Sequence, residues 1–176
     1  MLLKVGDYLI RDLAEGDVVS IARHADDPRV AGVLRDLFPT PYSEDDAKDF
    51  IGRILKEDPR TAFAIASTKE AFGVIGYIPG QDVYRFSAEI GYWIGEKYWG
   101  RGIMTDAVTI FSEYLFETFK FNRLYAGIFT SNPASGRVLE KAGFTCEGIL
   151  RAHVTKNDEL LDEHLYARLR PGLADG

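Results

Sequence analysis

The chain has 176 residues, 46% of them hydrophobic and 27% charged, a balance that suits one globular domain with a real core. A formal net charge of −6 and a pI near 5.1 exclude an electrostatic nucleic-acid footprint, and a cationic substrate is more compatible. The single cysteine, Cys146, excludes an internal disulfide, and no apolar run reaches the length of a membrane span, since residues 103–121 are interrupted by Thr105, Asp106, Ser112 and Glu113.

No charged segment followed by an apolar one precedes the first predicted strand, so a cytoplasmic location is expected. That strand covers Tyr8–Asp12. Residues 15–26 follow as a helix, with Val18, Ile21, Ala22 and Ala25 at helical spacing, and Pro28 stops or restarts it. Residues 28–34 make a short second piece. Phe38-Pro39-Thr40-Pro41 must then be a turn or an extended linker, because proline disfavours helix at and before its position. Ser43, with Asp46 three residues on, opens a helix over residues 44–57 whose buried stripe is Ala47, Phe50, Ile51, Ile54 and Leu55.

Two strands over residues 61–67 and 72–77 are joined through Thr68-Lys69-Glu70-Ala71, and a loop through Pro79-Gly80-Gln81-Asp82 leads to a strand over Ser87–Ile94. On that strand Ala88, Ile90, Tyr92 and Ile94 share one face, and Glu89, Gly91 and Trp93 share the other. A turn, Lys97-Tyr98-Trp99-Gly100-Arg101-Gly102, runs directly into a helix ending near Phe119 that buries Ile103, Ala107, Ile110, Phe111, Tyr114 and Leu115. Residues 123–130 form another strand and 134–141 a short helix. Residues 144–154 and 160–168 form a final antiparallel pair about the turn Lys156-Asn157-Asp158-Glu159, with Asp162 expected to fix the hairpin and residues 171–176 expected to fray. The pattern is one α/β domain over residues 1–176, with about seven strands and about four helices.

Two glycines one residue apart let the backbone adopt conformations closed to other residues and let a ligand approach bare amides. The helix begins at once, so its first N–H groups and positive dipole end face whatever occupies the turn. These features together make an anion site suited to phosphate. A Walker-type loop needs Lys followed by Ser or Thr after its last glycine, whereas Ile103 and Met104 follow Gly102. A dinucleotide fingerprint needs a small residue where Thr105 stands and an acidic residue after a following parallel strand, and that fit is poor.

The turn resembles instead the acetyl-coenzyme A pyrophosphate loop of the GNAT acetyltransferases, with Lys97, Gly100 and Gly102 at its marked positions and Lys97 departing from the usual first residue. A second signature stands about thirty residues on. Asn132-Pro133-Ala134-Ser135 leads through Val138-Leu139-Glu140-Lys141 to Ala142-Gly143-Phe144, similar to the segment in which an asparagine ends a strand, a short helix follows and Gly-Phe opens the next strand. The wording Trp-Gly-Arg-Gly, with Asn-x-x-Ser before Gly-Phe, resembles the ribosomal-protein N-acetyltransferase (RimJ/RimL-like) branch. The resemblance spans residues 8–168.

The resemblance implies a GNAT fold, a mixed and mostly antiparallel sheet, and acetyl-coenzyme A as donor with coenzyme A as product. It implies cofactor contacts at Tyr92, Trp93, Ile94, Lys97, Trp99, Gly100, Arg101, Gly102, Ile103, Met104 and Thr105, and at Asn132 and Ser135. An oxyanion donor is expected from a backbone N–H near Tyr92–Ile94. Residues 44–57 correspond to the mobile helical region flanking the acceptor site in the family, and the acidic start of that helix either complements its dipole or meets substrate.

Acyl transfer to an amine needs an unprotonated amine, a polarised carbonyl and a proton for the leaving thiolate. Glu89 lies where histone acetyltransferases of the superfamily carry a general base, and is either that base or a strand-edge carboxylate. A glutamate used by some N-terminal acetyltransferases maps to Gly127. The tyrosine acid of many relatives maps to Leu139, which leaves Ser135 as the hydroxyl the branch suggests, or as a helix-start residue bonded to backbone. Asn132 is either a coenzyme contact or a cap. His24, His153 and His164 lack metal-ligand spacing, so no metal is expected.

The function implied is acetyl transfer to a primary amine: a protein N-terminal α-amine, or a small polyamine, aminoglycoside or amino acid. A non-catalytic acyl-coenzyme A-binding module is the alternative, since a fold does not prove turnover. No membrane partner is expected, and the oligomer is left open between monomer and homodimer.

Overall fold

A computed structural model describes residues 1–173. The expected fraying of residues 171–176 therefore falls partly on residues outside those described. Eight strands occur in the order β1-β2-β3-β4-β5-β6-β8-β7: β1 Leu2–Val5, β2 Tyr8–Asp12, β3 Ala62–Ala66, β4 Ala71–Pro79, β5 Ser87–Ile94, β6 Arg123–Phe129, β7 Thr145–Lys156 and β8 Glu159–Leu169. Among the described residues five α-helices accompany them, α1 Val18–Ala25, α2 Pro28–Ala31, α3 Glu44–Ile54, α4 Ile103–Thr118 and α5 Pro133–Lys141. Two compact units are distinguished, residues 1–76 with 92–107, and residues 77–91 with 108–173.

The count of seven strands is corrected to eight. β1 is the addition: Leu2–Val5 turns at Gly6, which has φ +57°, and pairs antiparallel with β2 from Leu2↔Arg11 to Val5↔Tyr8. Four residues are too few for a periodic signal, so only pairing with β2 reveals them. The first helix is shorter than the expected residues 15–26. Residues 15–17 form a 3-10 turn in which buried Asp17 accepts two hydrogen bonds from Arg11, each 2.7 Å, and α1 starts only at Val18.

In the first unit, β3 reads Ala-Phe-Ala-Ile-Ala and is buried throughout. Ala62, Ala64 and Ala66 share a face, and their small side chains let Ile21, Ala22 and Ala25 of α1 and Ala47, Ile51 and Ile54 of α3 settle into one apolar cluster. The capping box at Ser43 and Asp46 is formed, which fixes where α3 begins. Trp93 packs on this cluster, its ring edge-to-face with Phe38 at 5.7 Å.

In the second unit, β5 runs parallel to β6 through the pairs Ser87↔Arg123, Ala88↔Leu124 and Glu89↔Tyr125, and β6 runs antiparallel to β8 over its whole length. Phe111, Leu115 and Phe116 of α4 are buried, as are Leu124, Leu139, Phe144 and Tyr166. The end of α4 is capped by Arg170, whose guanidinium donates to the carbonyls of Phe116 (2.7 Å), Phe119 (2.6 Å) and Phe121 (2.7 Å). Phe116 lies in the last turn of α4, where carbonyls lose their intrahelical partners, and Phe119 and Phe121 lie in the segment that follows; a cation suits that end of the dipole.

Candidate active site

In the first unit, β5 ends at Ile94 and the chain enters a 3-10 turn at Glu96–Tyr98. Gly100 and Gly102 then take φ of +72° and +76°, the left-handed region in which glycine alone is unstrained. A Cβ at either position would meet nothing within 4 Å, so their backbone lies beside open space. Asp106 N–H donates to the Gly102 carbonyl at 3.1 Å, so Ile103, Met104 and Thr105 sit at the helix start, where intrahelical acceptors run out. Ile103 and Met104 are themselves buried, whereas Lys97 and Arg101 are exposed. The Trp99 indole N–H donates to the Ile94 carbonyl (2.8 Å), closing the turn back on the strand.

Tyr98 is the buried member of this turn. Its ring stacks on Phe72 with centroids 3.8 Å apart, and its hydroxyl donates to Glu70 (3.0 Å). Glu70 is also bonded by Arg23, and His24 Nε2 lies 3.4 Å from it. Burial pushes the His24 imidazole below its ordinary pKa, outweighing the hydrogen bond to Glu70. For Glu70, burial pulls upward, but the hydrogen bonds of Tyr98 and His24 and the charge of Arg23 hold the carboxyl below the usual range. Burial, reinforced by Glu70, raises the Tyr98 phenol.

In the second unit, Glu89 is half-buried and opposite Tyr125. Tyr125 and Gly127 alternate onto one face, and the pair Phe129↔Glu163 belongs to the same face, so Glu89 and Glu163 project from one side of the sheet. The Glu163 carboxylate fills the space that a side chain at Gly127 would take. Its side chain is 14% exposed, and His153 Nε2 lies 3.5 Å from Oε2. His153 sits in an irregularity of β7 between Leu150 and Val154 where Ala152 has φ +51°, and Asp162 Oδ1 accepts the Ala152 N–H at 2.8 Å. Asp162 thus holds the hairpin's bulge.

Asn132 caps α5, its side-chain oxygen accepting the Ser135 N–H at 3.2 Å, and Ser135 is half-buried in the first turn. Leu139 is fully buried and packs in the core. The structure therefore groups the expected positions Tyr92–Ile94 and Lys97–Thr105 in the first unit, and Glu89, Asn132 and Ser135 in the second. Two features escaped sequence reading. Glu163 gave no motif signal, because its relation to Gly127 exists only once β6 and β8 pair; Glu70 was read as a hairpin turn residue.

A mixed sheet whose fifth strand leads through a left-handed double-glycine turn onto a helix start defines an α/β protein. The family model described as Acetyltransferase (GNAT) domain matches residues 8–145, and the chain belongs to the GNAT acetyltransferases. It is similar to the probable N-acetyltransferase YjcK of Bacillus subtilis, 44% identical over 48% of this chain and 47% of that one, so the chain spans about half the length of that relative. It is 30% identical to the ribosomal-protein-serine acetyltransferase of Escherichia coli, over 72% of this chain and 71% of that protein. The solved structure described as RimL, a ribosomal L7/L12 alpha-N-protein acetyltransferase in complex with coenzyme A, shares the fold, with a TM-score of 0.84, 22% identity, and coverage of 96% and 98% of the two chains. Among the described residues no helix is long and apolar enough to cross a membrane.

Proposed function

We propose that the protein is an acetyl-coenzyme A-dependent N-acetyltransferase, cytoplasmic, whose residues 1–176 form one catalytic domain and whose acceptor is the α-amine of a protein N-terminus, of the ribosomal Ser/Ala type. The observation that carries the reading is the double-glycine turn at the start of α4, in a chain similar to a ribosomal-protein-serine acetyltransferase over 72% of its length. The open cradle at Gly100 and Gly102 fits a pyrophosphate, since amides there can be approached without a side chain in the way.

Lys97, Trp99, Arg101 and the amides from Gly100 to Thr105 hold the phosphates, with backbone at Tyr92, Trp93 and Ile94 along the pantetheine arm. When bound, acetyl-coenzyme A supplies the acetyl group as a thioester. The proton-handling groups are those of the second unit. Glu89 and Glu163 share a sheet face, and either carboxylate can take the proton that the acceptor amine sheds. Asn132 orients the first turn of α5, and Ser135 Oγ is the hydroxyl donor for the sulfur.

An α-amine with pKa near ~7.7–8.0 is about 10–15% neutral at pH 7, whereas a lysine-type amine near ~10.4 is neutral in about one molecule in several thousand. A site without the tyrosine acid of its relatives is better matched to the first. Thiol release from acetyl-coenzyme A with peptides bearing N-terminal Ser or Ala, followed by mass spectrometry, tests this. Acetyl found on the α-amine is the expected result; turnover with polyamines or aminoglycosides alone would overturn it.

A further inference from the structure

We infer that Glu70, with His24 and Arg23, is a positioning clamp that sets the phosphate-cradling turn, acting through Tyr98; this rests on the reading of that turn as the coenzyme's pyrophosphate site. Tyr98 is the last residue of the 3-10 turn before Trp99-Gly100-Arg101-Gly102. A segment holding two residues at positive φ has few internal constraints, so something outside must fix its direction.

The fixing contacts converge from three elements. Phe72, at the start of β4, stacks on the Tyr98 ring, and its carbonyl accepts the Gly95 N–H at 2.8 Å. Glu70, in the turn before β4, accepts the Tyr98 hydroxyl. His24, near the end of α1, packs on Gly95 so closely that a Cβ there would lie 2.7 Å from its Nδ1, while its Nε2 faces Glu70. Arg29 of α2 adds an outer tie, its guanidinium 3.1 Å from Glu96 and 5.9 Å from the Trp99 ring centroid. One carboxylate therefore joins helix α1, the β3–β4 turn and the entry to the cradle. Because Glu70 is charged and largely shielded, its hydrogen bonds are of the strong kind, and the phenol cannot swing without leaving the carboxylate short of a donor.

Glu70, His24 and Arg23 stand outside the turn of residues 97–102, so their effect on a ligand must pass through the turn's geometry. The test compares the parent with Glu70→Ala, Glu70→Gln and Tyr98→Phe by calorimetry with coenzyme A and by amide hydrogen exchange over residues 99–105 without ligand. Glu70→Ala should weaken coenzyme A binding about tenfold, the scale of a lost hydrogen bond to a charged group, and speed exchange in that segment. Glu70→Gln, which keeps an oxygen for the phenol, should recover most of both, and circular dichroism should stay parent-like. Should Glu70→Ala not fold, Tyr98→Phe carries the test, with both effects expected in the same direction. Parent-like affinity and exchange in the folded variants would overturn the clamp, as would faster exchange with unchanged affinity. A parent that binds no coenzyme A would overturn the pyrophosphate reading instead, while exchange over residues 99–105 would still decide whether Glu70 sets the turn.

Discussion

The Glu163 carboxylate occupies the side-chain space of Gly127, one strand away. With no side chain on β6 at this position, β8 delivers a carboxylate to that place on the sheet. If that group accepts the amine proton, Glu163→Gln should lower turnover about 10²-fold, the lower end for general-base help, with coenzyme affinity unchanged. Gly127→Ala should act in the same direction by displacing the carboxylate. Steady-state kinetics with a peptide acceptor, run beside Glu89→Gln, separates the two carboxylates: a parent-like rate in Glu163→Gln with a loss in Glu89→Gln would return the role to Glu89.

At the cradle, the cost of a side chain is conformational rather than steric. Gly100 has φ +72° and open space where a Cβ would go, so Gly100→Val meets no atom but must hold a β-branched residue in the left-handed region, at about 1–2 kcal/mol or more. The turn should relax to another conformation and coenzyme A binding should be lost, with the unfolding midpoint little changed. Calorimetry and thermal unfolding on the same sample check both halves.

Periodicity made most of this architecture legible. The stripe Ile103, Ala107, Phe111 and Leu115 placed α4, and Ser43 with Asp46 placed the start of α3, because both are local signals in which neighbouring residues specify one another. The double-glycine turn was legible for the same reason. What escaped notice was non-local. Leu2–Val5 has no period of its own, Glu163 matters only through β6–β8 register, and Glu70 looked like any hairpin turn residue until His24 and Tyr98 closed on it. Asn132 shows a mixed outcome: its cap on α5 is formed, and a cap leaves a coenzyme contact neither required nor forbidden.

Arg170 offers a stability test away from the proposed chemistry. Its guanidinium satisfies the carbonyl of Phe116 in the last turn of α4 and those of Phe119 and Phe121 in the segment after it. Arg170→Ala should destabilise the fold by about 2–3 kcal/mol, less than three independent bonds because water replaces part of the loss. Arg170→Lys, with one compact donor group in place of a planar fork, should fall between. Urea unfolding with an unchanged m-value would show the effect; a loss under ~0.5 kcal/mol in Arg170→Ala would mean water caps the helix as well.

The clamp also has a pH signature whose sign follows from two depressed groups. Burial lowers the His24 pKa, and Arg23 and Lys97 lower it further against the pull of Glu70. The folded protein therefore binds fewer protons here than the unfolded chain, where imidazole titrates near ~6.5, and His24 removes stability as pH falls below that value. Glu70 is likewise held below its ordinary range, so its contribution is full above the unfolded value near ~4.3 and is lost as pH falls through the folded one. Both groups act in the same direction, and a cavity of about 460 Å³ lined by Arg23, His24, Glu70 and Lys97 gives water a route to them. Stability should therefore decline on acidification, with the His24 part appearing first, between neutral pH and the folded imidazole's pKa. In His24→Gln that first decline should be absent while the later one persists. Denaturant midpoints from pH 8 to pH 4 for parent and variant measure it, and identical curves would remove His24 from the account.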